Sequence, residues 1–226
     1  MDADVLLTGF GPFGPHAVNP SQLLIERLSA RRPPRIATAL LPVGFEAAPR
    51  LVRGLVERIR PRAVLCVGLA ASRRPLCVER VAVNERTGTD NDGLSCDHEP
   101  IDPSGSDGLF ASIDWRALLT GLRSAGFEAE ESWSAGTFVC NSVFYAALAA
   151  TAAHGGTAGF LHIPAETDTV RLAEALEAWA AGAGQRLTGG RPGAVHGLQG
   201  GHNRAPTTRR GVTPRRPRRL RRRAPP

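Results

Sequence analysis

The chain has 226 residues, a length that suits one domain with or without a terminal extension. No apolar run approaches the roughly 18 residues of a membrane-spanning helix, and the acidic start, Met1-Asp2-Ala3-Asp4, is unlike a signal peptide, so we expect a cytoplasmic protein that spans no membrane. All 28 basic residues are Arg, and eleven of them stand at or after Arg191 where no acidic residue occurs, which leaves residues 1–190 with a net charge of −4.

Strands and helices alternate from the start of the chain. The pattern predicts strands at residues 4–8, 35–41 and 63–67, and helices at residues 21–29 and 45–60. Asn19 is the expected N-cap of the first helix, with Pro20 in its first turn. The third strand is apolar throughout, which is typical of a strand covered on both faces.

The alternation resumes later in the chain. Further strands are predicted at residues 78–83 and 159–163, an edge strand at 127–133, and helices at 115–125, 140–153 and 169–187. This order predicts an α/β fold with a mostly parallel sheet and helices on both faces.

Two segments have no regular pattern. Residues 84–113 are rich in Gly, Asp, Pro and Ser, and a loop of this length in a compact domain is usually a lid or a binding loop. Residues 189–226 consist mainly of Gly, Pro and Arg and are expected to be disordered. The expected organisation is therefore a catalytic domain at residues 1–188 and a tail at 189–226.

A glycine motif follows the first predicted strand. Residues 9–14 spell G-x-G-x-x-G, the dinucleotide-binding fingerprint, but prolines delay the helix until about Pro20, and the second strand does not end in an acidic residue. We therefore reject a nucleotide site. Phe10 and Phe13 in this loop could form a wall for a small apolar ring, or could simply cover the core.

Cys140 stands where a small-residue turn enters a predicted helix. The helix N-terminus favours a thiolate, and its free amides could stabilise an oxyanion. The alternative is a small buried side chain with no chemical role. No export signal supports an oxidising compartment, so the four cysteines are not expected to form disulfides, and no two are spaced as C-x-x-C, so no structural zinc site is expected.

Two further side chains could complete a catalytic group. His162 lies at the carboxyl end of a predicted strand, where the catalytic groups of open α/β sheets gather, and could take the proton of a thiol. Glu79 interrupts an apolar strand and needs a partner, for which His162 is the candidate because Arg80 points to the opposite face.

Four segments resemble the pyroglutamyl peptidase I family, also called pyrrolidone-carboxylate peptidases: residues 7–21, 67–84, 134–145 and 159–164. The resemblance implies a three-layer α/β/α sandwich with a twisted central sheet, no cofactor, a homo-oligomer, and peptides with N-terminal pyroglutamate as substrates. By matching position it implies Cys140 as nucleophile, His162 as general base and acid, and Glu79 as the orienting carboxylate. Phe10, Phe13, Phe138 and Val139 match the residues of the pyrrolidone pocket.

The chain departs from the family pattern near the pocket. Leu69 replaces a Gln and Val43 replaces a Thr, and the segment after the Glu79 strand is shorter and lacks an Arg-Ile-Pro, for which Arg86 is a candidate substitute. A catalytically weak relative that binds a lactam or a peptide N-terminus is therefore an alternative. Nucleic acid is not an expected partner, although the Arg-rich tail could attract phosphates.

Overall fold

The computed structural model describes residues 3–186, so the predicted boundary at residue 188 and the predicted tail lie outside the described residues. The described helices are α1 (Pro20–Arg31), α2 (Ala47–Ile59), α3 (Trp115–Ser124), α4 (Val139–Ala152) and α5 (Thr169–Arg186). Within this part of the chain, no helix has the length and apolar character needed to cross a bilayer.

Six strands form the central sheet, in the spatial order β2 (Ile36–Leu41), β1 (Val5–Phe10), β3 (Ala63–Leu69), β10 (Thr157–Ile163), β4 (Leu76–Glu79) and β9 (Ala129–Ser132). Neighbouring strands are parallel except β10 and β4, which are antiparallel. The mostly parallel sheet is confirmed, and β9 is an edge strand as predicted.

Helices cover both faces of this sheet, because successive side chains of each buried strand point to opposite sides. Leu7, Leu65 and Leu161 pack with α1, α3 and α5, whereas Leu6, Val64 and Phe160 pack with α2 and α4. The three-layer α/β/α arrangement follows from these two cores.

The irregular segment of the sequence contains short strands that the sequence did not indicate. The predicted strand at 78–83 is divided: β4 lies in the central sheet, and β5 (Val81–Val83) pairs with β8 (Gly108–Phe110) in a separate ribbon. A second ribbon joins β6 (Arg86–Thr89) to β7 (Ser95–Glu99). The prediction of one long loop at 84–113 was wrong, because these strands are mostly exposed and carry no apolar periodicity.

Candidate active site

The candidate site lies where β3, β10 and β4 adjoin the first turn of α4. His162 is the penultimate residue of β10 and is directly opposite Gly68 of β3 in the parallel register. Glu79 ends β4 and is opposite Phe160, two residues before His162, so the two side chains share a face of the sheet. That face is the one covered by α2 and α4.

A buried hydrogen bond joins His162 to Glu79. His162 Nδ1 lies 2.7 Å from Glu79 Oε1, so a proton on Nδ1 fixes the orientation of the ring and leaves Nε2 free to act as a base. Glu79 is 0% exposed and His162 is 5% exposed. The second carboxylate oxygen of Glu79, Oε2, has no hydrogen-bond partner within residues 3–186.

The Cys140 thiol lies beside this pair. Cys140 is the second residue of α4, whose N-cap is Phe138. A methyl group added to Gly68 would lie 2.9 Å from Cys140 Sγ and 2.9 Å from Phe160 Cζ, so the thiol packs over Gly68 next to the Phe160 ring. The Phe160 ring centroid is 4.7 Å from that of His162. Thiol and imidazole therefore border the same two residues.

The protonation state of Cys140 differs from the sequence expectation. Burial raises the pKa of the Cys140 thiol to about 12, the negative charges that Cys66 and Glu79 can carry act in the same direction, and a hydrogen bond from the Cys140 amide opposes them only in part. Desolvation outweighs the helix N-terminus, so the raised pKa favours the thiol over the thiolate that the sequence suggested. Attack by this sulfur requires a base that accepts its proton.

Gly68 is needed for this close approach. In Gly68→Ala the new methyl group would displace the thiol or the Phe160 ring, and small misplacements of a reacting atom are costly. We expect turnover to fall by about 10-fold or more. Gly54→Ala, on α2 where an added methyl group meets nothing within 4 Å, is the matched control and should keep full turnover. Wild-type rates for Gly68→Ala would contradict this placement of the thiol.

An aromatic cavity opens next to the thiol, with a volume of about 10 Å³, room for one water-sized sphere. Its walls include the four residues assigned to the pocket by resemblance, together with four others: Phe10, Phe13, Phe138, Val139, Cys140, Asn19, Val43 and Leu69. The ring centroids of Phe13 and Phe45 lie 6.3 Å and 5.3 Å from that of Phe138. Phe45 is an aromatic neighbour that the sequence did not indicate.

The shortened segment after β5 is attached to the first turn of α4. The Asn141 side chain donates to the carbonyls of Val83 and Glu85 and accepts from the Val83 amide, at 2.8, 2.9 and 2.9 Å. The Arg86 guanidinium binds Glu46 at 2.6 Å and Glu99 at 3.0 Å. Arg86 is thus engaged with two carboxylates away from the Glu79–His162 pair.

Several other sequence assignments can be compared with the structure. Asn19 Oδ1 accepts from the Ser21 amide at 3.0 Å, which confirms the helix cap. Arg80 binds Glu131 at 3.1 Å and is not a partner of Glu79, as predicted. Within residues 3–186, no group of three or more His, Cys, Asp or Glu side chains is placed to hold a metal ion.

The sequence did not indicate Arg73, which also contacts Glu79. Arg73 Nη1 lies 2.7 Å from Glu79 Oε1 and 3.0 Å from Ser132 Oγ, and Nη2 lies 3.1 Å from the Ser134 carbonyl oxygen. The sequence did contain a clue to such a partner, because a carboxylate inside an apolar strand needs a positively charged group near it. Arg73 precedes that strand in the sequence.

Taken together, the fold and this group of side chains define an α/β protein with the residue types of a cysteine hydrolase. The sequence model described as pyroglutamyl peptidase matches residues 3–176, and the chain belongs to that family. Two proteins named pyrrolidone-carboxylate peptidase illustrate the similarity. The one from Halalkalibacterium halodurans is 37% identical over 73% of this chain and 85% of its own length, and the one from Gloeobacter violaceus is 41% identical over 71% and 80%.

Solved structures of the family have the same fold. Pyroglutamyl peptidase I from Bacillus amyloliquefaciens superposes with a TM-score of 0.72 at 31% identity, covering 79% of this chain and 95% of that one. Pyrrolidone carboxyl peptidase from Thermococcus litoralis gives 0.72 at 29% identity, covering 79% and 91%. The α/β fold predicted from the sequence is that of known pyroglutamyl peptidases.

Proposed function

We propose that the chain is a cysteine peptidase, of the omega-peptidase type, that hydrolyses the bond after an N-terminal L-pyroglutamyl residue. The observation that carries the proposal is the position of Cys140, which lines the aromatic cavity while its thiol packs over Gly68 and beside Phe160, two residues that also adjoin His162. A ring held in that cavity would present its exocyclic carbonyl carbon close to the sulfur. Family membership and the names of the relatives support the same substrate class.

In the first half of the reaction, His162 Nε2 accepts the Cys140 proton as Sγ attacks the carbonyl carbon. The raised pKa of the thiol makes this transfer necessary rather than optional. The buried Glu79 carboxylate stabilises the imidazolium that forms. The Asn141 and Ser142 amides donate to the Phe138 carbonyl, whereas the Val139 and Cys140 amides precede the helix's own acceptors and can donate to the oxyanion.

In the second half, the imidazolium returns its proton to the departing amine, and the C–N bond breaks to leave a thioester on Cys140. His162 then takes a proton from water, whose oxygen attacks the thioester carbon. The thioester bond breaks, the sulfur recovers a proton, and pyroglutamate is released. All protons are balanced by one imidazole acting in turn as base and acid.

The substrate ring must enlarge the cavity, because about 10 Å³ does not hold a five-membered lactam. The Phe13 and Phe138 rings form the more exposed side of the cavity, whereas Phe10 is buried at 2% exposure. We expect the two more exposed rings to move apart and then enclose the lactam. Aromatic walls exclude water from the reacting carbonyl and suit a flat ring.

We predict selectivity for pyroglutamyl over prolyl N-termini. A lactam offers an N–H and a C=O to the cavity, and a ring without the carbonyl leaves a buried donor unpaired at a cost of about 1–3 kcal/mol. Two peptides that differ only in their first residue, pyroglutamyl or prolyl, should be compared by mass spectrometry. Loss of the first residue from the pyroglutamyl peptide alone supports the proposal. Equal cleavage of both peptides contradicts it.

A second candidate, binding without efficient turnover, is favoured by Leu69 in the cavity wall and by the engagement of Arg86 with Glu46 and Glu99. Calorimetry with 2-pyrrolidone tests binding independently of hydrolysis. Heat of binding together with no cleavage of the pyroglutamyl peptide would select this candidate over the peptidase.

We further propose that the protein is a cytoplasmic homo-oligomer, on the basis of the family resemblance. Light scattering during size-exclusion chromatography tests the oligomer, and a monomer at micromolar concentration would refute it.

The predicted disordered tail at 189–226 lies outside the described residues. Its removal is expected to leave turnover unchanged, because the described helices and strands already contain both cores.

A further inference from the structure

One side chain outside the proposed Cys–His–Glu group is bound directly to it. Arg73 belongs to the loop between β3 and β4, and its guanidinium shares the Glu79 oxygen that contacts His162. The Arg73 side chain is 31% exposed, while Glu79 is 0% exposed. Arg73 therefore connects a fully buried carboxylate to the protein surface.

The charge of Arg73 opposes the desolvation of Glu79. An unpaired carboxylate in such a site would take up a proton rather than remain charged. Burial would lower the pKa of Arg73, but contacts with Cys77 and the charge of Glu79 outweigh it, so the pKa is raised and the guanidinium stays charged. Arg73 is a permanently charged partner of Glu79, whereas His162 is charged only when it is protonated.

Arg73 also holds the chain that leads to the nucleophile. Its two terminal nitrogens bind the Ser132 hydroxyl, at the end of β9, and the Ser134 carbonyl oxygen. Ser134 begins the turn that continues through Gly136, whose φ is +77° and whose amide donates to Ser134 Oγ. α4 and Cys140 follow this turn. One guanidinium thus connects β4, β9 and the segment before the nucleophile.

We propose that Arg73 is a positioning residue for the hydrolysis described above, which holds Glu79 charged and oriented toward His162 and fixes the turn before Cys140. This inference rests on the proposed function only for its rate measurements. The geometry of the Arg73–Glu79–His162 chain is independent of the substrate.

The protonation of this chain defines a test. Without the positive charge of Arg73, His162 and Glu79 as a pair hold their protons more strongly. The acid limb of the pH profile of kcat/KM is therefore displaced to higher pH. Other titratable or charged groups surround the pair on each neighbouring element: Cys66 on β3, Cys77 on β4, Glu130 on β9 and Cys140 on α4. Of these, Cys77 also contacts Arg73, so substituting Arg73 changes its surroundings as well as those of Glu79.

Two variants test the proposal. Arg73→Gln removes the positive charge, and Arg73→Lys keeps the charge but lacks the two terminal nitrogens of a guanidinium. We expect Arg73→Gln to lower kcat by roughly 10- to 100-fold and to change KM little. Losses of this size are usual when a functional histidine loses a group that orients it without contacting the substrate. Arg73→Lys should recover the wild-type pH profile but only part of kcat. Arg74→Ala, at the next and exposed position of the same loop, is the matched control.

NMR titration of the His162 imidazole gives a readout that needs no turnover. In Arg73→Gln its midpoint should move away from the wild-type value, and in Arg74→Ala it should not. An unchanged midpoint in folded Arg73→Gln, or equal changes in both variants, overturns the proposal. If Arg73→Gln fails to fold, the same titration of Arg73→Lys decides the question. A wild-type midpoint and pH profile together with a reduced kcat support the proposal. A full wild-type kcat in Arg73→Lys overturns the proposal.

If the wild-type chain hydrolyses no pyroglutamyl amide, the proposed function fails. The shift of the His162 midpoint then decides the role of Arg73 alone. A shift in Arg73→Gln but not in Arg74→Ala supports the charge coupling even in that case, and its absence overturns it.

Discussion

Cys140→Ala is expected to abolish hydrolysis of pyroglutamyl substrates, with turnover reduced by roughly 10³-fold or more, as for other nucleophiles of catalytic groups that act as a unit. The sulfur is the atom that would form the thioester, and alanine offers no replacement. The fold should persist, because alanine is a good helix former at a position within the first turn of α4. Rates and thermal midpoints of the purified variant test both statements.

Cys96→Ala is the matched control for this substitution. Cys96 lies in β7 and is buried in the same core, but it belongs to the ribbon rather than to the group around His162. We expect it to keep wild-type turnover, with at most a modest loss of stability. Wild-type turnover in Cys140→Ala would remove Cys140 from the mechanism, whatever the control shows.

His162→Ala should cost nearly as much as the loss of Cys140. A thiol with a pKa of about 12 is almost fully protonated at neutral pH, and His162→Ala removes the imidazole that we propose accepts its proton. Arg73 still binds Glu79 in this variant, so the buried carboxylate keeps a partner and the chain should fold. The quantities to measure are kcat/KM and the thermal midpoint.

Glu79→Gln and the double variant Cys140→Ala/His162→Ala complete this test. Glu79→Gln should cost less than His162→Ala, because it loses the orientation and the charge but keeps both nucleophile and base. The double variant should be no slower than the slower single variant, since residues that act as a unit lose their contribution once. A double loss equal to the product of the two single losses would contradict a shared site.

The core of the fold could be predicted because burial imposes a pattern on the sequence. The apolar β3 and the amphipathic α2 are examples in which local periodicity reports the layers directly. The direction of β4 could not be predicted, because its antiparallel pairing with β10 depends on residues far apart in the sequence. The ribbons β5–β8 and β6–β7 could not be predicted for the same reason, and also because their strands bury little surface.

The site was predictable only in part. Cys140 and His162 could be located from the helix N-terminus and the strand end, and Glu79 from its apolar strand. The charge state of the thiol could not, because it depends on desolvation by Gly68, Phe160 and their neighbours. Arg73 was missed because its contacts with Ser132 and Ser134 join segments that no local pattern connects.

The most direct test of the proposed peptidase is the release of a fluorescent amine from an L-pyroglutamyl amide by the purified chain, with Cys140→Ala prepared identically. The account predicts steady multiple-turnover release by the wild type and no release above background by the variant. An intact wild-type protein that releases no amine, or equal release by the two proteins, would contradict it.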